Sequence, residues 1–120
     1  ETGSFRLEEV AVVRLDTVLE DQRIDFVKID VQGWEWEVVQ GMEKTLERNP
    51  DIRICFEFWP YGLKRAGCDP ATLIEFFLRR QFRLSEMSGT NLSDIGDGAA
   101  LCERLRGTSY TDLYAARLAG

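Results

Sequence analysis

The sequence predicts an α/β domain built around parallel strands, with any chemistry at the C-terminal end of one of them. Residues 26–31, FVKIDV, are almost continuously apolar and β-branched, as expected of a strand buried on both sheet faces. Residues 52–58, IRICFEF, form a second such run. Roughly 20 residues of helical pattern join the two, long enough for the crossover that parallel strands require. In open α/β sheets ligands sit beyond the C-terminal ends of such strands, which points to Asp30 through Glu35.

In chain order, residues 1–9 have no periodicity and read as a disordered or non-native end, so one domain spans 10–120. Residues 10–15 fit a short strand. Asp16 stands before TVLEDQR as the N-cap of that segment, its carboxylate accepting first-turn amides. In the central strand Lys28 and Asp30 are two apart and share a face. The strand breaks at Gln32-Gly33, and residues 34–48 read as one helix. Val38, Val39, Met42 and Leu46 form its apolar stripe, and Asn49-Pro50 stops it. Trp34 and Trp36 cannot both face one core. Both read as packing residues, with one of them lining a pocket or an interface as the alternative.

In the second strand Ile54, Phe56 and Phe58 share one face, and Arg53, Cys55 and Glu57 the other. Parallel pairing then brings Glu57 and Asp30 to the same edge. Residues 59–62, WPYG, read as a turn. Asp69-Pro70 starts a helix that runs to about 81 and buries Leu73, Ile74, Phe76 and Phe77. Residues 82–87 read as a strand, 88–98 as a loop and 99–106 as a short helix. Residues 110–118 close the chain as a strand, with Leu113, Ala115 and Arg117 alternating against Asp112, Tyr114 and Ala116.

Composition narrows the chemistry. The chain has 120 residues and a formal charge of −6, from 15 basic and 21 acidic side chains, which argues against phosphate-backbone binding. No apolar run reaches the roughly 18–20 residues of a membrane span, so a cytoplasmic protein with no membrane or nucleic-acid partner is expected. Cys55, Cys68 and Cys102 are far apart, without metal-ligand or disulfide spacing, and no metal is expected. With no histidine in the chain, acid–base work falls to carboxylates, Lys28 or a tyrosine.

The order RLDTVL, IDFVKIDVQGWEWEVVQGM, IRICFEF and YTDLYAARL resembles the FkbM-type methyltransferase family over residues 10–118. The resemblance implies a Rossmann-like class I fold and the use of S-adenosylmethionine to methylate hydroxyls of small molecules, sugars or natural products. In the family pattern K-x-D-x-E-G-x-E, Lys28, Asp30, Gly33 and Glu35 match. Gln32 replaces a glutamate and removes a charge; Trp34 replaces a small residue and adds bulk. The family's glycine-rich cofactor loop and ribose-binding acid have no counterpart in this sequence.

The chain therefore resembles a partial fold, the C-terminal half of such an enzyme. It would contain the strands counted fourth to seventh, two main helices and an antiparallel last strand. It would be inactive alone and bind no cofactor by itself. Methyl transfer to a hydroxyl calls for a carboxylate that orients the acceptor or takes its proton, and Asp30, Glu35 and Glu57 are the candidate catalytic acids for that role. Lys28, Gln32, Gly33 and Trp34 support them, with Lys28 neutralising Asp30 or Glu57. Residues 59–62 and 88–98 would flank the acceptor. The competing reading of these residues is a satisfied ion-pair network beside a tight glycine turn. A half-fold also leaves FVKIDV as an exposed edge, so a homodimer through that edge is expected. Two other functions stay open: a non-enzymatic interaction module, and one polypeptide of a split enzyme.

Overall fold

A computed structural model describes residues 15–19 and 21–117. The strand expected at 10–15 lies outside them except for its last residue, Leu15, which opens helix α1 (Leu15–Leu19). Strand β1 (Phe26–Ile29) leads through α2 (Glu35–Gln40) and α3 (Glu43–Arg48) to β2 (Arg53–Phe58). Next come α4 (Pro60–Arg65), α5 (Pro70–Leu78), the hairpin of β3 (Phe82–Ser88) and β4 (Asn91–Asp94), α6 (Ala99–Arg104) and β5 (Thr111–Arg117).

The described strands form one sheet in the order β1-β2-β5-β3-β4. β1 and β2 are parallel, as the crossover length requires, with Ile29 opposite Phe56. The last strand enters between β2 and β3, antiparallel to both. The alternation read from the sequence holds. Ile54, Phe56 and Phe58 of β2 are buried together with Leu113 and Ala115 of β5 and Leu84 of β3. Against them pack Leu73, Ile74, Phe76 and Phe77 of α5. Phe77 stacks on Phe56 at 5.2 Å and meets Phe82 edge-on at 5.5 Å.

The opposite sheet face is more open. Burial of β1 on both faces is the expectation that fails. β1 is an edge strand with Phe26 54% exposed, Lys28 exposed and only Ile29 buried.

Five further expectations are corrected. The helix expected over 34–48 breaks at Gly41-Met42 into α2 and α3. Asp16 is the reason. It caps α3 instead of its own segment, its carboxylate accepting from the Lys44 amide at 3.0 Å and from the amide and hydroxyl of Thr45 at 2.8 Å each. Its own amide donates to the Gly41 carbonyl at 2.9 Å. Residues 59–62 are not a terminal turn. Pro60 occupies the first position of α4, where a missing amide costs nothing. The loop expected at 88–98 contains β4, because Gly89 at φ +61 reverses the chain and lets residues 91–94 pair with β3. The helix from Asp69-Pro70 ends at Leu78 rather than about 81. Beyond its end, Arg80 lies 3.8 Å over the Phe76 ring and pairs with Glu43 at 2.6 Å.

Candidate functional site

The parallel register places Asp30, one residue past the end of β1, beside Glu57 of β2, and the antiparallel register sets Glu57 opposite Asp112 of β5. Three carboxylates thus cross three neighbouring strands in one rung, on the open face and at the C-terminal end of the parallel pair. They line a cavity of about 340 Å³ together with Phe26, Lys28, Cys55 and Met87. The rung below carries Lys28, Cys55 and Tyr114.

Burial pushes the Glu57 carboxyl above its ordinary range, and the charges of Asp112 and then Asp30 push it further the same way. The expected ion pair from Lys28 to Asp30 or Glu57 is not formed. Among the described residues the ion pairs involve other side chains. Lys28 stands opposite Cys55, whose thiol is raised by burial while the lysine charge opposes that rise. The reading of Lys28, Asp30 and Glu57 as a satisfied ion-pair network therefore does not describe this face.

Glu35 is placed differently from the other two candidate acids. Its side chain is 1% exposed at the start of α2. One oxygen accepts from the Gly33 amide at 2.9 Å, and the other is buried without a hydrogen-bond partner. Burial raises its pKa, backbone amides including that of Gly33 pull it down, and the negative charge of Glu57 adds to the rise. An unpartnered oxygen fits a carboxyl held toward its neutral form.

The turn that Glu35 braces is tight. Gln32 and Gly33 have φ of +50° and +101°. A Cβ on Gly33 would lie 2.9 Å from the Gly62 carbonyl oxygen in α4, and a Cβ on Gly62 would collide with the Trp59 ring. This backbone contact sets the segment carrying Trp34 beside the segment carrying Tyr61. Both rings are exposed, Trp34 by 54% and Tyr61 by 38%. Trp36 takes the packing role, edge-on to Phe76 at 5.6 Å. The two tryptophans therefore divide between surface and core.

The Gln32-Gly33 turn has no free cradle for a cofactor, since its amide is held by Glu35 and its Cα faces Gly62. Among the described residues no three ligating side chains converge as a metal site, and no helix is long and apolar enough to cross a membrane. A larger apolar cavity of about 540 Å³ lies between α5 and α6, lined by Ile74, Leu78, Ala99 and Cys102 among others. It does not reach the carboxylate rung.

Two site residues escaped the sequence reading. Asp112 was legible only as an outward position of the last strand; that this strand enters next to β2 is a matter of topology. Gly62 looked like a turn residue, and nothing local marked it as the surface on which Gly33 rests.

A family model described as the methyltransferase FkbM domain matches residues 3–84, more than half of the chain. The match takes in Asp30, Glu35 and Glu57, ends within β3, and stops short of Asp112. No curated protein and no solved structure matches the chain significantly.

Proposed function

The chain belongs to the FkbM methyltransferase-domain family, and on that footing we propose that it forms the acceptor side of an O-methyltransferase. Family membership implies S-adenosylmethionine as the methyl donor of a complete enzyme. The described residues do not fit that cofactor as its holders. The glycine turn after β1 is filled by Glu35 and Gly62, which leaves no free backbone amides there to cradle it. In this reading the sheet is the fourth-to-seventh-strand portion of a class I fold, supported by the antiparallel last strand between β2 and β3. It is inactive until a cofactor-gripping half completes it.

The observation that carries the proposal is the rung Asp30–Glu57–Asp112 in its cavity. A hydroxyl that accepts a methyl group must lose its proton, and a carboxylate with raised proton affinity is a better base for it near neutral pH. Glu57 is that group, flanked by the two acids that raise it. Asp30 and Asp112 orient the acceptor by accepting hydrogen bonds from its other hydroxyls. Glu35 acts through the turn, holding Gly33 against α4 so that Asp30 keeps its place, with Gln32 and Trp34 at the rim. Trp34 and Tyr61 offer exposed ring faces to the apolar side of a sugar or natural product.

The test is a residue-resolved NMR titration of the chain with methyl glycosides and, separately, with S-adenosylhomocysteine. Saturable shifts at Asp30, Glu57 and Asp112 with the glycosides, and none with S-adenosylhomocysteine up to millimolar concentration, are expected. Saturable binding of S-adenosylhomocysteine at the rung would overturn the division of labour. A flat response to every hydroxylated ligand would remove the acceptor site. A second reading is a non-enzymatic module retaining half of the fold, in which no strand among the described residues covers the outer side of β1.

A further inference from the structure

We propose that Glu86, anchored by Arg104, is a positioning residue for the carboxylate rung: through the Thr111 hydroxyl it fixes Asp112 beside Glu57. The inference rests on the acceptor-site reading above. Its three residues lie past the family match, which ends at 84.

The backbone explains why Asp112 needs such a support. On one side β5 pairs with β2 as far as its first residue, Thr111 opposite Phe58. On the other side the ladder with β3 stops at Leu113 opposite Glu86. Thr111 and Asp112 thus continue past the end of the β3 ladder. Alternation turns Asp112 to the open face, and Thr111 and Leu113 to the helix-covered one. In the open-face cavity Asp112 meets Glu57 and Asp30, whose like charges repel it. It takes part in none of the ion pairs among the described residues. A hold on this stretch has to come from the other face.

Glu86 supplies it. One carboxylate oxygen accepts from the Thr111 hydroxyl at 2.6 Å, and the other accepts from Arg104 at 2.5 Å. Glu86 and Thr111 are diagonal neighbours on one sheet face, since Glu86 lies opposite Leu113. The side-chain bond therefore bridges β3 and β5 where their backbone ladder ends. Arg104, the last residue of α6, fixes the carboxylate in one orientation by a charge-assisted bond. The Arg104 bond and then the Thr111 bond hold the Glu86 carboxyl below its ordinary range. It stays an ionised acceptor at pH values where Glu57, raised above that range, exchanges its proton. The Trp59 indole ties the loop before β5 at a second point, donating to the Thr108 carbonyl at 3.1 Å. Trp59 directly follows β2, so β5 is fastened to β2 there and to β3 through Glu86.

Of the two charges that raise Glu57, Asp112 is the stronger. Whatever places Asp112 therefore sets how tightly that base holds a proton.

The test is the titration of the Glu57 carboxyl, followed by carbon-detected NMR in the ligand-free chain. Thr111→Val removes the hydroxyl and changes neither charge nor branching. It should move the Glu57 midpoint to lower pH, by part of the drop that Asp112→Asn produces. Thr111→Ser keeps a hydroxyl and should restore the wild-type midpoint. Glu86→Leu should match Thr111→Val, and the double variant should go no lower, because both cut one link. Circular dichroism checks each fold, and Thr111→Ala gives the same reading should the valine not fit. An unchanged midpoint in Thr111→Val, where Asp112→Asn lowers it, overturns the proposal even if stability falls. So does a serine variant that titrates like the valine one. A further drop in the double variant also overturns it, since Glu86 would then act through its own charge. No acceptor enters the titration, so failure of glycoside binding would overturn the acceptor reading and leave this result standing.

Discussion

A Cβ placed on Gly33 falls 2.9 Å from the carbonyl oxygen of Gly62, so the turn after β1 and the first turn of α4 touch backbone to backbone. Gly33 also holds φ at +101°, a region that side chains other than glycine rarely adopt. Gly33→Ala should therefore cost at least about 2 kcal/mol, from backbone strain and overpacking together. Gly67 supplies the control, since it has φ +90° and a Cβ there would meet nothing within 4 Å. Urea unfolding should show Gly33→Ala losing clearly more stability than Gly67→Ala. Equal losses would mean that the contact with Gly62 yields freely.

Asp16 caps a helix that begins 27 residues after it, through two amides and one hydroxyl of Lys44 and Thr45. Asp16→Ala should destabilise the chain by about 1–3 kcal/mol, the range for a cap whose acceptor is charged. In a double-mutant cycle with Thr45→Val, the two losses should be less than additive, since they share a hydrogen bond. Strict additivity in equilibrium unfolding would show that the two residues are not coupled.

Glu35 makes a prediction about pH. Its folded pKa is raised, chiefly by burial, so the native state holds its proton to higher pH than the unfolded chain does. Stability from this group is greatest below the unfolded pKa and is lost as pH rises through the folded one. Glu35→Gln cannot ionise and keeps the carbonyl that accepts from Gly33. Its stability relative to wild type should climb as pH is raised from about 4 upward, whatever constant penalty the new amide group brings. Parallel curves for the two proteins would show that Glu35 titrates normally.

Glu57 is raised first by burial, then by Asp112, then by Asp30. Asp112→Asn should lower its pKa while leaving it above the ordinary carboxylate value, and Asp30→Asn should lower it less. Carbon-detected NMR titration of the Glu57 carboxyl measures both. If Asp30→Asn had the larger effect, the rung would be centred nearer β1 than the register places it.

Much of this arrangement was legible in the sequence because it depends on local periodicity. The period-two pattern of residues 52–58 identified the buried face of β2, and Asp69-Pro70 marked the start of α5. The crossover length made β1 and β2 parallel, which put Asp30 next to Glu57. The family motif singled out Asp30 and Glu35 but not Glu57. Local pattern could not show that Asp16 reaches across to Thr45, since an aspartate before a short helix looks the same whichever amides it binds. It also missed the break at Gly41-Met42, because the apolar spacing of Val39, Met42 and Leu46 continues across two short helices as it would across one.

The sequence by itself determined β1, β2, β3 and β5, the helix after Asp69-Pro70, the absence of imidazole chemistry and the family, because these follow from residue type and spacing along the chain. Only the tertiary structure decided which carboxylates share a site. β5 enters beside β2 and brings Asp112 to Glu57, while the fold of the turn takes Glu35 out of the cavity and into the interior. Both outcomes depend on strand order and burial, which join residues far apart in sequence and which no local pattern encodes.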